Sequence, residues 1–201
     1  LWYDVSDYQQ PGESAGNTVW GTANRAIAIA ADANTEALNL GGGDFAAKMT
    51  SVASPLIVRM AAATLFTGTF TSGFPSATDP RSNIDFGTPF SGRPNSFRIE
   101  YQYTPGASYE DANGNPLAGG DECDIYVLLE KRVGNDKQRI ATAWFRDGAT
   151  VNNFSTLNIP FKYGELTAAD PEFAYANIRV NEGESWGNPN DIPTHITVVF
   201  S

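Results

Sequence analysis

The chain has 201 residues, of which 41% are hydrophobic, and this is enough for one well-filled core without a second domain. Its formal net charge is −10 and its 13 Lys and Arg residues form no basic patch, so we expect neither a nucleic acid nor an anionic membrane surface as a partner. The single cysteine, Cys123, excludes an intrachain disulfide, and its apolar neighbours predict a buried thiol.

The first helix-like stretch of the chain is residues 25–40, RAIAIAADANTEALNL. Its first part alternates as a strand does, and its last part favours a helical turn or two around Thr35 to Leu40. After it, short alternating runs are separated by Gly, Pro, Asn and Asp, which is typical of strands and turns. The predicted strands cover residues 44–52, 56–70, 83–90, 96–103, 122–132, 138–146, 154–163, 173–182 and 194–201.

About nine strands without an internal repeat or a linker predict an all-β chain in which two antiparallel sheets pack as a β-sandwich. We predict a single domain over residues 1–201. The Asn-Gly pair in DANGNP (111–116) and the VGND segment (133–136) predict hairpin turns.

The clearest strand runs from Phe97 to Tyr103, where apolar and polar residues alternate. One face carries Phe97, Ile99, Tyr101 and Tyr103, and the other carries Arg98, Glu100 and Gln102. The polar face is either the solvated back of a half-buried strand or the lining of a binding cleft, and the pattern alone does not choose between them.

Several kinds of catalytic site are excluded. His195 is the only histidine, so neither a Ser–His–Asp triad nor a multi-histidine zinc site is expected, and the alternation of THITVVF predicts a structural strand residue at this position. The glycine-rich NLGGGDF (39–45) lacks the lysine of a phosphate loop.

We expect no cofactor, although the spacing of polar residues in one loop is similar to that of calcium ligands. Asp111, Asn113 and Asn115 alternate as oxygen ligands do, and Glu122 is at the twelfth position of the series. Pro116 stands where an EF-hand requires glycine, which leaves a plain hairpin or an unrelated calcium loop.

Carbohydrate chemistry remains, because the chain supplies aromatic residues and planar polar groups beside its turns. An aromatic face packs against the C–H side of a pyranose, and amide, carboxylate and guanidinium groups bind its hydroxyls. The candidate ligand-binding residues are Trp20, Asn24, Asp85, Arg93 and Trp186. The loop NEGESWGNPND (181–191), which contains Trp186, also fits a solvated loop anchored by its tryptophan.

A glycoside hydrolase would need two carboxylates separated by about 5 to 9.5 Å. The strand-borne candidates are Glu100, on the polar face described above, and Glu130, which alternates with Asp124, Tyr126 and Leu128. Whether their strands are neighbours does not follow from the sequence.

Six segments, taken in order, resemble the putative carbohydrate metabolism domain (PCMD) family of Bacteroidetes. They are VWGTAN (19–24), AAATLFTGTF (61–70), IDFGTPFSGRPNSFRIEYQYTPG (84–106), DECDIYVLLE (121–130), STLNIPFKYG (155–164) and ITVVFS (196–201). The resemblance implies a jelly-roll sandwich like those of galactose-binding-like domains and glycoside hydrolases, with a glycan pocket. It also implies an exported protein of the cell surface or periplasm, often a lipoprotein, and a last strand beyond residue 201.

The leading hypothesis is therefore a domain that binds a carbohydrate or polysaccharide in a pocket of the jelly roll. A glycoside hydrolase that uses Glu100 and Glu130 is the first alternative. A surface adhesion or structural subunit, which presents its loops to a protein partner, is the second.

Overall fold

The computed structural model describes residues 1–28, 32–54, 58–71, 80–111 and 113–201. The chain divides into two compact units. Unit 1 comprises residues 1–86, 106–121 and 200–201, and unit 2 comprises residues 87–105 and 122–199. The predicted all-β class with antiparallel sheets is confirmed, since 52% of the residues are in strands and 8% are helical.

Unit 1 is built from short antiparallel strands. They are β1 (Trp2–Val5), β2 (Tyr8–Pro11), β3 (Trp20–Thr22), β4 (Thr35–Gly41), β5 (Asp44–Met49), β6 (Val52–Ser54), β7 (Val58–Ala61), β8 (Leu65–Phe70) and β9 (Ile84–Phe86). Three pairs, β1–β2, β4–β5 and β6–β7, form two-stranded ribbons, while β8 pairs with both β3 and β9. A four-residue helix, α1 (Asn24–Ile27), and a 3₁₀ turn (Pro80–Asn83) complete the unit.

The prediction for residues 25–40 is wrong in its order. The helix lies at the beginning, at Asn24–Ile27, and Thr35–Gly41 is a strand. Thr35–Gly41 pairs with Asp44–Met49 across a turn in which Gly41, Gly42 and Gly43 all have positive φ. This glycine turn makes a hairpin available, so strand pairing outweighs the helix propensity of the leucines and alanine in the segment.

Two other predicted strands are divided in the structure. Residues 56–70 contain β7 and β8 as separate strands, and positions 56 and 57 lie outside the described residues. Residues 83–90 contain β9 and the first strand of unit 2, separated by Gly87 with a φ of 94°. Positive φ is rare in a strand, and it ends β9 at this glycine.

The side-chain amide of Asn24 connects three segments of unit 1. It is fully buried and makes four hydrogen bonds to the main chain. Its Nδ2 donates to the carbonyl oxygens of Gln9 at 2.9 Å and Thr35 at 2.6 Å. Its Oδ1 accepts from the backbone N–H groups of Asn34 at 3.2 Å and Thr35 at 3.0 Å. One side chain therefore fixes β2 and the start of β4 to helix α1.

Unit 2 contains the longest strands of the chain. Its strands are β10 (Thr88–Pro89), β11 (Ser96–Tyr103), β12 (Cys123–Val133), β13 (Asp136–Asp147), β14 (Val151–Pro160), β15 (Lys162–Tyr163), β16 (Glu184–Trp186) and β17 (His195–Phe200). The order β15–β13–β12–β17 forms the main sheet of the unit, with β10 paired to β17 and the short β16 parallel to β13. Strands β11 and β14 form a separate antiparallel ribbon.

Several local predictions hold in unit 2. The turn between Val133 and Asp136 connects β12 and β13 as a hairpin. Along β11, Arg98, Glu100 and Gln102 are exposed while the apolar residues between them are half-buried, so the alternation is as predicted. Cys123 is buried, and this burial raises the pKa of its thiol.

The predicted strand at residues 173–182 is wrong. The segment contains 3₁₀ turns at Pro171–Ala174 and Val180–Glu182. The carbonyl oxygens of Ala176 and Asn177, which lie between the turns, accept hydrogen bonds from the guanidinium of Arg139 at 2.7 and 3.1 Å. A side chain therefore takes the acceptors that a neighbouring strand would use.

Arg139 is fully buried at the centre of this arrangement. Its Nε donates to Oε1 of Glu184 at 2.7 Å, and the other carboxylate oxygen accepts from the backbone N–H of Arg179 at 2.6 Å. Burial lowers the pKa of Arg139, and the carboxylate of Glu184 opposes that effect. The ion pair thus connects β13 with β16 and with the irregular segment that precedes β16.

No helix among the residues that the structure describes has the length and apolar character needed to cross a membrane.

Replacing Asn24 by Ala should lower the free energy of unfolding by about 2 to 4 kcal/mol, because four buried backbone groups lose their partner. Urea denaturation followed by tryptophan fluorescence measures the change. The matched control is Asn39→Ala on the same unit, whose exposed side chain accepts one hydrogen bond from Gly41 and should cost about 0.5 kcal/mol or less. Equal losses for the two variants would contradict the bridging role of Asn24.

Replacing Arg139 by Met should destabilise unit 2 by about 3 to 5 kcal/mol, because the buried carboxylate of Glu184 loses its cation. The double variant Arg139→Met/Glu184→Met should recover most of that loss in the same denaturation experiment. The exposed pair Lys48–Glu36 is the control, and Lys48→Met should change stability by less than about 1 kcal/mol. Additive losses in the double variant would show that the two side chains are not coupled.

Candidate functional site

Unit 1 contains an open cavity of about 720 Å³. It is lined by Leu1, Trp2, Pro11, Gly12, Glu13, Gly16, Asn17, Thr18, Val19, Trp20, Phe45, Ala46, Ala47 and Leu65. The lining combines three aromatic side chains with a small polar group, and its volume is in the range of small-molecule sites.

Each aromatic side chain comes from a different pair of strands. Trp2 begins β1 and is opposite Pro11 of β2, and Trp20 begins β3 and is opposite Thr67 of β8. Phe45 lies on β5 and is 45% exposed. Trp20 packs against Phe200, which belongs to unit 1 although it is the last residue of β17, and their ring centroids are 6.2 Å apart. The aromatic surface therefore depends on how the ribbons of unit 1 are joined.

The polar group of the cavity is a tight turn over residues 13–17. The backbone N–H of Asn17 donates to the carbonyl oxygen of Ser14 at 3.0 Å, and Gly16 has a φ of 82°. The turn brings the side chains of Glu13 and Asn17 together, so that Asn17 Nδ2 donates to Glu13 Oε2 at 2.5 Å. Both side chains are exposed, and Glu13 is the only charged side chain among the lining residues.

Thr18 joins this turn to the aromatic strands. Its hydroxyl donates to the carbonyl oxygen of Pro11 at 2.7 Å and accepts from the backbone N–H of Trp20 at 3.0 Å. Gly12 makes the approach possible, because a Cβ at this position would lie 2.4 Å from Cβ of Thr18. Gly12 also has a φ of 133°, which other residues rarely adopt.

One exposed and two half-buried aromatic side chains next to a carboxylate and an amide suit a polyhydroxylated ring. The rings can pack on its C–H faces, and the Glu13–Asn17 pair offers acceptor oxygens and an amide to vicinal hydroxyls. Among the residues that the structure describes, the lining contains one carboxylate, whereas glycoside hydrolysis generally uses two.

The residues predicted for the site in unit 1 have three different environments. Trp20 lines the cavity, as described above. The amide of Asn24 is occupied by its four backbone partners and is fully buried. Asp85 is exposed on β9, where it is opposite Thr69 of β8.

The two predicted residues in unit 2 contact their own unit. Arg93 donates to the carbonyl oxygens of Pro189, at 2.7 Å, and of Asp191, and its guanidinium lies 4.4 Å from the ring centroid of Tyr163. Trp186 is half-buried, with the guanidinium of Arg139 at 5.2 Å from its ring centroid. Arg93 therefore fixes the loop that follows Trp186.

The two candidate catalytic carboxylates differ in burial and in partners. Glu100 is exposed on β11 and is opposite Thr156 of β14. Glu130 is buried on β12, where it accepts hydrogen bonds from Arg132 at 2.7 and 3.1 Å and from Thr197 at 3.3 Å. Strands β11 and β12 are not paired with each other, because β11 pairs with β14 and β12 lies between β13 and β17.

A shift of register between β12 and β13 lies beside Glu130. Leu129 is opposite Ala141 and Glu130 is opposite Arg139, so the extra residue, Ile140, lies on β13. The alternation of Glu130 with Asp124, Tyr126 and Leu128 along β12 is therefore not interrupted by it.

In the loop of residues 111–115, the carboxylate oxygens of Asp111 are hydrogen-bonded within the loop itself. One carboxylate oxygen of Asp111 accepts from the backbone N–H groups of Asn113 and Asn115 at 2.8 and 2.9 Å, and the other accepts from the side chain of Asn115 at 2.9 Å. These bonds, those from Asn115 above all, lower the pKa of Asp111. Within the described ranges, no group of three or more His, Cys, Asp or Glu side chains is arranged to hold a metal ion.

Of the aromatic and polar side chains that line the cavity, sequence reasoning found Trp20 and missed Trp2, Glu13, Asn17, Thr18 and Phe45. The segment ESAGN (13–17) did carry a signal, because its glycine and asparagine favour a tight turn directly before the strand of Trp20. Nothing in the local pattern indicated that Trp2 and Phe45 would lie near that turn, since they belong to separate ribbons.

Two solved structures share this fold. One, from Bacteroides thetaiotaomicron, is described as a putative glycoside hydrolase, and it matches with a TM-score of 0.68 and 18% identity over 96% of this chain. Another putative glycoside hydrolase, from Bacteroides vulgatus, matches with a TM-score of 0.67 and 18% identity over 100% of this chain and 85% of its own. Their likeness agrees with the predicted β-sandwich class.

The chain spans 60% of the length of the Bacteroides thetaiotaomicron protein. A comparison with curated proteins gives no match. Residues 2–181 match the family described as putative carbohydrate metabolism domain, PCMD, which confirms the resemblance found in the sequence. The chain therefore belongs to the putative carbohydrate metabolism domain family, and its role is related to carbohydrate.

Proposed function

We propose that this protein binds a glycan in the cavity of unit 1. The observation that carries the proposal is the convergence of Trp2, Trp20 and Phe45 on one open cavity that also contains the Glu13–Asn17 pair. Of the five residues predicted to bind the ligand, Trp20 is part of this proposed site. The other four, Asn24, Asp85, Arg93 and Trp186, are not.

The exposure of the cavity supports binding of a chain. Phe45 and Val19 are 45% and 49% exposed, and Glu13 and Asn17 are exposed at the turn. An open aromatic surface can pack against a sugar unit while the flanking units remain in solvent, whereas an enclosed pocket would accept a chain end only.

The carboxylates of the chain favour binding of the glycan without cleavage. The lining contributes one carboxylate, and the buried Glu130 is held by Arg132 and Thr197. A general acid and its partner carboxylate would have to be about 5 to 9.5 Å apart across a sugar ring. The hydrolase alternative is supported by the two Bacteroides proteins, which are described as putative glycoside hydrolases. Those descriptions apply to the two proteins themselves.

Replacing Trp20 by Ala should weaken glycan binding about five- to thirtyfold, because a stacked aromatic face contributes on the order of 1 to 2 kcal/mol. A glycan array identifies a ligand for the wild type, and isothermal titration calorimetry then gives the Kd of each variant. Phe45→Ala is a second test, because this exposed side chain can be removed with little effect on folding.

The matched control is Phe154→Ala, which removes an aromatic side chain of similar exposure, 41%, from β14 in unit 2. Its Kd should equal that of the wild type. If the wild type binds no glycan, or if Trp20→Ala and Phe45→Ala both bind as well as Phe154→Ala does, the proposed site is wrong.

Glycans that bind should be recovered intact after prolonged incubation, as measured by chromatography of reducing ends. Glu100→Gln and Glu130→Gln should then leave the glycan as uncleaved as the wild type does. Product release by the wild type that either substitution abolishes would replace the binding proposal with the hydrolase alternative. Export, lipid anchoring and the adhesion alternative stay predictions.

A further inference from the structure

We infer that the cavity of unit 1 selects sugars by charge, and that it takes neutral and amino sugars in preference to uronic acids. This inference rests on the proposed function, and it names the class of ligand and the residue that sets it. The residue is Glu13.

The side chains that line the cavity carry a negative charge. Among the described residues that line the cavity, Glu13 is the only one with a charged side chain, and none is Lys, Arg or His. A uronate brought onto the aromatic surface would therefore meet a carboxylate without a lining cation to neutralise either group. An ammonium group would meet the same carboxylate favourably.

Glu13 is held by a hydrogen bond from Asn17 and by the turn that carries both residues. Within the described part of the chain it has no ion pair, and its bonding partner is the neutral amide of Asn17. The bond uses one carboxylate oxygen and fixes the direction of the group, while the negative charge remains. Turn residues 14–17 hold Glu13 and Asn17 in place through the backbone bond from Asn17 to Ser14, so the carboxylate is positioned before the ligand arrives.

Glu13 is among the carboxylates of the chain that have no ion pair in the described residues, whereas several others do. Glu36, Glu110, Asp124, Glu130, Asp170, Glu184 and Asp191 each have a Lys or Arg partner. Glu13 lies in a cavity and lacks such a partner in the residues that the structure describes. Its charge is therefore available to a ligand.

The test uses matched sugars that differ in charge alone. Gluco-, galacto- and manno-configured oligosaccharides are each prepared as the neutral hexose, the amino sugar, the uronate and the uronate methyl ester. An α-amino group at Leu1 would add a charge beside the cavity, so the protein is used with its N-terminus acetylated. Kd values are measured by calorimetry at low and at high ionic strength.

In every configuration that binds, the uronate should bind at least about fivefold more weakly than its methyl ester at low salt, the size expected for two unit charges a few ångströms apart at a surface. High salt should reduce this ratio. Glu13→Gln keeps an acceptor for the amide of Asn17 and should bring the ratio below about twofold. Glu165→Gln, the same change on an exposed residue of unit 2, should leave the ratio unchanged.

A uronate that binds as well as its methyl ester, or a ratio that Glu13→Gln leaves unchanged, would overturn the inference. In that case Trp20→Ala would still weaken binding of every ligand if the proposed function is right. Absence of binding for all the sugars would instead overturn the proposed function, and the inference with it.

Discussion

The cavity depends on one buried side-chain amide. Asn24 has no exposed surface, and its two polar atoms hold the backbone of Gln9 on β2 and of Asn34 and Thr35 at the start of β4. Strand β2 pairs with the strand of Trp2, and β4 pairs with the strand of Phe45. Asn24 itself follows β3, which begins at Trp20. A single group therefore joins the three sources of the aromatic surface.

This arrangement explains why an amide is needed at this position. Two-stranded ribbons bury little apolar area, so the ribbons of unit 1 cannot be held together by a large core alone. A buried amide with two donors and an acceptor satisfies backbone groups from separate segments, and each of those groups would cost free energy if it were left without a partner. The bridging amide and the aromatic residues of the cavity thus have complementary roles: the amide fixes the backbone, and the aromatic side chains line the cavity.

Unit 2 uses its polar residues differently. Arg139 and Glu184 neutralise each other inside the unit, Arg93 binds the carbonyl oxygens of Pro189 and Asp191, and Glu130 is bonded to Arg132. A buried charge is expensive unless it is paired, and Arg139, Glu184 and Glu130 are each held by a partner inside the unit. The exposed Arg93 holds a loop of the same unit. Arg93 was a candidate site residue because it lies beside a turn, and Glu130 because it is a carboxylate on a predicted strand. The partners of Arg93, and Thr197 as a partner of Glu130, are distant in sequence, and only the folded chain reveals them.

The sequence predicted what depends on local pattern. The alternation of β11, the hairpin at residues 133–136 and the burial of Cys123 all follow from neighbours within a few residues. The errors at residues 25–40 and 173–182 have non-local causes, namely a ribbon closed by three glycines and a guanidinium that binds the carbonyls of a loop. Trp20 was found because it lies beside a turn, whereas Trp2 and Phe45 reach the same cavity through pairings between distant segments.

Nuclear magnetic resonance of the indole groups during a glycan titration is the most direct test of the glycan site in the cavity of unit 1. The chain has four tryptophans, of which Trp2 and Trp20 line the cavity while Trp144 and Trp186 belong to unit 2. In a ¹⁵N-labelled protein, the indole N–H resonances of Trp2 and Trp20 should shift together with one dissociation constant, and those of Trp144 and Trp186 should stay in place. Shifts confined to Trp144 or Trp186 would contradict the placement of the site in the cavity of unit 1.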